Sequence, residues 1–454
     1  MKTVPASLLP VTARAGNSGL EIGGVILAEL AARYGTPVFV YDEHHLRKAC
    51  RAARAAFPDG VSYASKAFLC RSVARLVHEE GLGLDVASGG ELAVTVAAGV
   101  PPHAITLHGN NKSGSELETA LALGVGRIVI DGDDELGRLE PLTTGPGGPG
   151  ILVRVNPGVT APTHRSIRTG HADSKFGVPL ADGRAAGLVR RVRESPRLRF
   201  AGVHLHIGSQ MTDMTPLREA IRSSAEFAQG AGAGELIVGG GLGVCYDAAD
   251  TAPTIAAWGE VARHAVREAG FSGRVMAEPG RVLVATAGLT VYTIGSRKQT
   301  GTTAMLAVDG GISDNPRPAL YQARYRPLLV RHPYLDEHAD TYTVVGKNCE
   351  SSDTFASDVA ISGAPRVGDL LCMPVTGAYC HAMSSRYNGL LRPPVVLADD
   401  GVARVIVRRE TIDDVLRTDE LETPVAAKPG PAFFPSTPGP AVEHEESASP
   451  HLLE

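Results

Sequence analysis

The stretch VSYASKAFLCRSVARLVHEEGLGLDVAS (61–88) holds a short apolar run with a polar end, an Ala/Leu/Arg/Glu stretch of helical character, and a second apolar run. A strand, a helix and a strand in that order imply a parallel pair joined by a right-handed crossover. The unit recurs. Apolar, β-branched runs at 61–67, 82–87, 104–108, 127–131, 151–156, 200–207, 235–239 and 274–278 are each followed by a helix-like stretch. Repeated in this way, the unit can close into a (β/α)8 TIM-like barrel, with an open doubly wound sheet as the competing fold.

Beyond about residue 281 the pattern changes. Runs at 282–294, 303–309, 341–347, 369–375 and 402–409 have little helix between them, which predicts a mostly β C-terminal domain. PVFVY (37–41) precedes the first barrel repeat and could pair with that domain. The predicted organisation is an N-terminal segment (1–45) pairing with the β domain, a barrel (46–285), a C-terminal β domain (286–423), and a tail (424–454). The tail is rich in Pro, Ala, Ser and Glu and is read as disordered.

A length of 454 residues suits two or three domains, so core size is not limiting. The net charge of −5 offers no footprint for nucleic acid or an anionic membrane, so a small-molecule partner must be recognised locally. The six cysteines show no Cys-x-x-Cys spacing, and a chain this long needs no disulfides, which favours a reducing, cytoplasmic setting. The N-terminus has no apolar block of signal-peptide type, and no run reaches the length of a membrane span.

A parallel barrel carries its site at the C-terminal ends of its strands. Those ends are Ser65-Lys66, Asp85 with Ser88, His108-Gly-Asn-Asn111, Asn156, His206 with Ser209, the glycines of 239–243, and Glu278-Pro-Gly-Arg281. Lys66 stands among Tyr63, Ala64, Ala67 and Phe68, which would partly desolvate an amine suited to Schiff-base chemistry. Glycines 239–243 let backbone N–H groups approach a phosphate, with a following helix supplying its positive end. Glu278 suits a ring nitrogen that must stay protonated. His204 and His206 are read as facing opposite sides of their strand, one toward core or helix, and His206 against a cofactor ring. They are therefore poor joint metal ligands, and no metal is expected. A Schiff-base Lys, a phosphate loop, a stacking His and a carboxylate are together the parts for pyridoxal 5′-phosphate.

At this point the chain resembles the barrel-type pyridoxal-phosphate decarboxylases of alanine racemase-like architecture, and within them the diaminopimelate decarboxylases. The matching stretches are YASKAF (63–68), DVASGGEL (85–92), HGNNKS (108–113), KFGV (175–178), HLHIGSQ (204–210), GGGLG (239–243), AEPGR (277–281), DGGISDNPRPALY (309–321), CES (349–351) and TGAYCHAMSSRYN (376–388). The likeness runs in one register from about residue 20 to 420.

The resemblance implies decarboxylation of meso-2,6-diaminopimelate to L-lysine and CO2, the last step of lysine biosynthesis. It implies that Lys66 holds the cofactor, His206 packs on its ring and Glu278 pairs with the pyridine nitrogen, with Asp85 also at the cofactor. Ser209, Gly239, Gly240, Gly241, Arg281 and Tyr379 would surround the phosphate or the substrate carboxylate. An obligate homodimer with shared sites would place Cys349 and Glu350 in the partner's pocket. Arg317 and Tyr321 would hold the distal end of the substrate.

A far carboxylate and ammonium need an Arg fork and an acid, which Arg281, Arg317 and Glu350 supply. Proton delivery falls to Cys349, with Lys66 or water as rivals. Residues 158–178 exceed an ordinary loop and could cover the site. Ser352 stands where the family usually has glycine, and serine takes positive φ less readily. A paralogue acting on another amino acid and a catalytically silent binder of the cofactor remain open alternatives.

Overall fold

The computed structural model describes residues 5–145, 147–159, 174–335 and 339–420. The predicted tail (424–454) and most of the long loop at 158–178 lie outside them.

The eight expected runs form Ser62–Ala64, Gly83–Val86, Ile105–Leu107, Arg127–Ile130, Gly150–Asn156, Arg199–Leu205, Glu235–Ile237 and Arg274–Met276, each parallel to the next. The first and last strands meet: Ser62 N–H donates to Ala277 O at 2.9 Å, and Ala277 N–H to Gly60 O at 3.2 Å. This closes the barrel and excludes the open sheet.

Helices form where small polar residues cap apolar-periodic stretches. Ser88 and Thr254 accept from the backbone at the starts of Gly89–Ala97 and Ile255–Glu268, and Ser113 with Glu116 makes a capping box for Gly114–Leu123. Helix Arg71–Glu79 buries Val73, Ala74, Leu76 and Val77, the stripe that turns it onto the sheet.

Side chains two apart on a strand share a face, so the barrel interior is layered. Arg127, Glu235 and Arg274 close the N-terminal end, with Arg127 Nε 2.7 Å from Glu235. Val129, Leu152, Ile237 and Met276 form the apolar layer above them. Two residues further along the same strands stand Asp131, Arg154, Gly239 and Glu278, at the opposite mouth.

In the second unit, the long strand Gly288–Thr300 pairs antiparallel with Thr303–Val308, Leu370–Met373 and Val38–Asp42. Val38–Asp42 also pairs parallel with Val395–Asp399, so the N-terminal strand lies inside this sheet. Its run of buried apolar side chains fits a strand covered on both faces.

Several elements depart from expectation. Residues 281–284 are a helical turn, Arg281–Val284, and not the beginning of a strand. Strands Leu328–Leu329, Thr354–Ile361 and Val395–Asp399 were not anticipated, nor was the small sheet of Arg14–Gly16, Gly19–Ile22 and Val25–Ile26.

Candidate active site

Lys66 sits on a 3-10 turn, Ser65–Ala67, directly after the first barrel strand. The turn is held from both sides. The Tyr63 hydroxyl donates to Phe68 O at 2.7 Å and accepts from Phe68 N–H at 3.1 Å, and Tyr379 N–H from the second unit donates to Ala67 O at 2.8 Å. The neighbours of Lys66 are buried, but Lys66 itself is exposed, contrary to the expected desolvation. Its chain projects from the rigid turn into a cavity of about 310 Å³ at the barrel mouth.

Glu278 closes the last strand, 4% exposed. His108 Nε2 lies 2.9 Å from its Oε1 and His204 Nε2 lies 3.0 Å from its Oε2. Asp85 Oδ1 stands 3.7 Å from His108 Nε2. Burial alone would raise the Glu278 carboxyl, but the two imidazoles outweigh it and hold the group well below the usual carboxylate range. Asp85 is pushed up to about 6 by burial. Burial acts to lower His108, yet Asp85 and Glu278 more than offset it and raise its pKa. Burial lowers His204 to about 4. Glu278 is thus held ionised between His108, whose protonated form the two carboxylates favour, and His204, whose neutral form burial favours. Three ligand atoms of these residues lie within 4.8 Å of one another. The atoms a metal would take are already joined to each other by hydrogen bonds.

The reading of His204 is corrected here. Period two puts 204 and 206 on the same face, and both line the cavity. His206 lies just past the strand end, where its Nδ1 accepts from Gly240 N–H at 3.2 Å. Burial, followed by the charges of Lys66 and Arg154, depresses its pKa well below the ordinary value.

The glycine tract fits a close backbone approach. A Cβ on Gly240 would meet Glu278 O at 2.4 Å, and one on Gly241 would meet Gly208 O at 2.4 Å. Gly239 and Gly241 also take positive φ, +59° and +113°. The expected following helix is absent at this point: the next one begins at Ile255. Positive charge comes instead from Arg281, whose Nη2 donates to Ser209 Oγ at 2.9 Å and Nη1 to the Tyr246 hydroxyl at 2.7 Å. The Arg281 guanidinium lies 4.8 Å from the Tyr379 ring centre, and Tyr379 holds a positive φ of 60°. Among the described residues Arg281 forms no ion pair, so a buried cation faces the glycines without an anion of its own.

Lys66, Asp85, His206, Ser209, Gly240, Gly241, Glu278, Arg281 and Tyr379 thus share one cavity. Arg154, His108 and His204 also line it; sequence reasoning placed His108 at the mouth without giving it a role and missed Arg154 and His204 as site residues. An arginine inside the apolar strand ILVRVN was the available signal, since a buried charge requires partners. Arg154 lies 3.7 Å from Asp131 and 4.5 Å from the Phe176 ring.

Four candidates stand elsewhere in the single chain. Arg317 is buried behind Tyr246, with its guanidinium 4.6 Å from that ring and donating to the Tyr325 hydroxyl. Tyr321 is half-buried, 4.0 Å from Met383 Sδ. Cys349 and Glu350 are exposed on a loop of the β unit. That loop is tied down by Asn388, which accepts from Cys349 N–H at 2.7 Å, and by Asp353, which accepts from Asn348 N–H at 2.7 Å. Ser352 does not take positive φ, so the missing glycine imposes no backbone strain.

The residues present fit pyridoxal 5′-phosphate. An amine, an ionised carboxylate and an anion cradle with an uncompensated arginine open onto one cavity.

The comparisons agree with this geometry. Residues 43–285 match the pyridoxal-binding domain of the pyridoxal-dependent decarboxylases. A diaminopimelate decarboxylase of Actinosynnema pretiosum subsp. auranticum is 45% identical over 420 residues, covering 91% of this chain and 95% of that one. That of Bacillus subtilis is 40% identical over 431 residues, covering 90% and 97%. The crystal structure of diaminopimelate decarboxylase from M. jannaschii in complex with L-lysine superposes with a TM-score of 0.84 at 29% identity, over 90% of this chain and 98% of that one. With this identity spread over nine-tenths of its length, the chain belongs to the diaminopimelate decarboxylase family of pyridoxal-dependent decarboxylases.

Proposed function

We propose that the protein decarboxylates meso-2,6-diaminopimelate to L-lysine and CO2, with pyridoxal 5′-phosphate as cofactor. The observation that carries this reading is the single cavity into which Lys66, an ionised Glu278 and the cradle of Gly240, Gly241, Ser209 and Arg281 all open. When bound, the cofactor supplies an aldehyde that captures amines and a protonated ring that draws in electrons from the bond to the α-carboxylate.

The chain's own residues do the rest. Lys66 Nζ would hold the cofactor's aldehyde. Glu278, kept ionised by its histidines, would accept the ring N–H. His206 would pack on the ring. Ser209, Gly239, Gly240, Gly241, Arg281 and Tyr379 would surround the phosphate or the substrate carboxylate, with Asp85 beside the cofactor. CO2 leaves and a proton returns to the same carbon. Cys349 Sγ is the proposed donor, with Lys66 Nζ and water as the alternatives.

In this reading two copies complete each other's sites. Support comes from Cys349 and Glu350, which are exposed on a tied-down loop and do not line their own chain's cavity. Glu350 of one copy would take the distal ammonium, and Arg281, Arg317, Tyr321 and Tyr379 the carboxylates. The division into barrel (46–285) and β domain (286–423) is part of the same proposal. So is a cytoplasmic location; among the described residues no helix is long and apolar enough to cross a membrane.

The test is to purify the protein, record its visible spectrum, and measure CO2 release from meso-diaminopimelate beside ornithine, arginine and lysine. Preference for another substrate would mark a paralogue, and colour without turnover a silent binder. Lys66→Ala should lose both colour and turnover. Mixing inactive Lys66→Ala and Cys349→Ala chains should restore about a quarter of the sites if they are shared, and none if they are not.

A further inference from the structure

We propose that His108, anchored by Asp85, is a positioning residue that presents the Glu278 carboxylate, in its charged form, to the cofactor's ring nitrogen; this rests on the cofactor assignment made above. The geometry carries the argument. Two carboxylates, Asp85 and Glu278, are both buried at one end of the barrel, and like charges in such a place cannot both persist unless a cation stands between them. His108 is placed to be that cation, with its Nε2 2.9 Å from Glu278 and 3.7 Å from Asp85.

Two further contacts fix its position. The His108 backbone N–H donates to Val86 O at 2.7 Å on the neighbouring strand, and the imidazole meets the His204 ring edge-on at 4.8 Å between centres. The other charged groups around it are Arg154 from the fifth strand, and Lys66 and Glu91 at the mouth.

The other clamp, His204, is the weaker source of charge. Burial dominates its titration and keeps it neutral, whereas the two carboxylates raise His108. Both imidazoles therefore give the ionised Glu278 a charge-assisted hydrogen bond, and of the two His108 is the one placed to add a positive charge of its own. Asp85, pushed up to about 6, is the carboxyl that takes up a proton first as pH falls, which spares Glu278.

The experiment compares His108→Gln, which keeps an N–H donor of similar reach but no charge, with Asp85→Asn, which removes the anchoring charge. Apoprotein is titrated with pyridoxal 5′-phosphate, and the visible absorbance of the loaded protein is then followed against pH. Loss of a cation should raise the pH midpoint of that absorbance, and loss of an anion should lower it, each by about one pH unit. His108→Gln should also take up cofactor about tenfold more weakly. Opposite displacements in the two folded variants support a charge role.

Midpoints that stay at the wild-type value, or move in the same direction in both, overturn it. Should His108→Gln fail to fold, an unmoved midpoint in Asp85→Asn overturns it alone. A wild-type protein that takes up no cofactor would overturn the underlying functional reading, a result distinct from wild-type behaviour in the variants.

Discussion

Gly240→Ala tests whether backbone contact, and not side-chain chemistry alone, builds the site. A Cβ at this position would stand 2.4 Å from Glu278 O, 3.3 Å from Glu278 C and 3.7 Å from Pro279 Cα. Gly240 does not have positive φ, so the substitution acts through space alone. Relief needs a shift of about 1 Å, and such overpacking costs about 1–3 kcal/mol. Nothing nearby is a flexible side chain that could give way. Glu278 N–H is bound to Gly239 O at 2.6 Å and Gly240 N–H to His206 Nδ1 at 3.2 Å, so the shift moves Glu278 or His206.

A displacement of about 1 Å at reacting groups is worth about a hundredfold in rate. The variant should therefore lose about two decades in kcat/KM while thermal unfolding of the apoprotein falls by only several degrees. Gly187→Ala is the control: it sits inside helix Arg184–Glu194 with nothing within 4 Å of its Cβ, and should gain up to about 1 kcal/mol. A Gly240→Ala protein with wild-type kcat/KM and the stability of the control would refute the steric argument.

Lys112 Nζ is buried 2.8 Å from Glu135, 2.8 Å from Gly109 O and 2.6 Å from Val129 O. Lys112→Met should cost about 3–5 kcal/mol in urea unfolding. Adding Glu135→Leu should not recover it, because Glu135 also accepts from the backbone Lys112 N–H at 3.1 Å and Asp131 N–H at 2.8 Å. His204, lowered to about 4, binds its proton less readily in the folded chain than in the unfolded one. Its contribution to stability is thus complete above about 6.5 and lost as pH falls toward 4, on the order of 3 kcal/mol; His204→Gln should flatten that limb of the apoprotein's melting profile. Arg317→Ala should raise KM for diaminopimelate about tenfold while cofactor uptake changes far less. Equal loss of both would remove Arg317 from the substrate's end of the site.

The strand-end rule made most of the cavity legible, because a parallel barrel sends every strand's last residues to one mouth. Lys66, Asp85, His206, Glu278 and Arg281 come to that cavity from the ends of four different strands, as their positions after apolar runs implied. Tyr379 belongs to the second unit, and only the family resemblance could bring it there. The β unit was harder to read. Strands of two to four residues, such as Val25–Ile26 and Gly19–Ile22, are too short to show a period, whereas PVFVY (37–41) was long enough for its pairing with this unit to be anticipated. The helix expected after residue 243 was replaced by irregular chain up to Ile255, so the anion cradle rests on Arg281 and not on a helix end.

His204 and Arg154 escaped, and His108 was placed at the mouth without a role, because the same pattern serves two purposes in this barrel. Along the eighth strand Arg274, Met276 and Glu278 point inward in turn, and along the seventh Glu235, Ile237 and Gly239 do the same. The apolar middle layer thus has charges on both sides. At the lower end Arg127 and Arg274 both bind Glu235, which leaves a closed structural plug held by ion pairs. At the upper end Glu278 meets histidines, whose charge is conditional, and Arg154 and Arg281 carry charge toward an open cavity. Only strand direction separates plug from site, since the residue types at each end are alike. A charge two positions after the apolar layer, on the C-terminal side, therefore has a claim on chemistry that its twin two positions before does not.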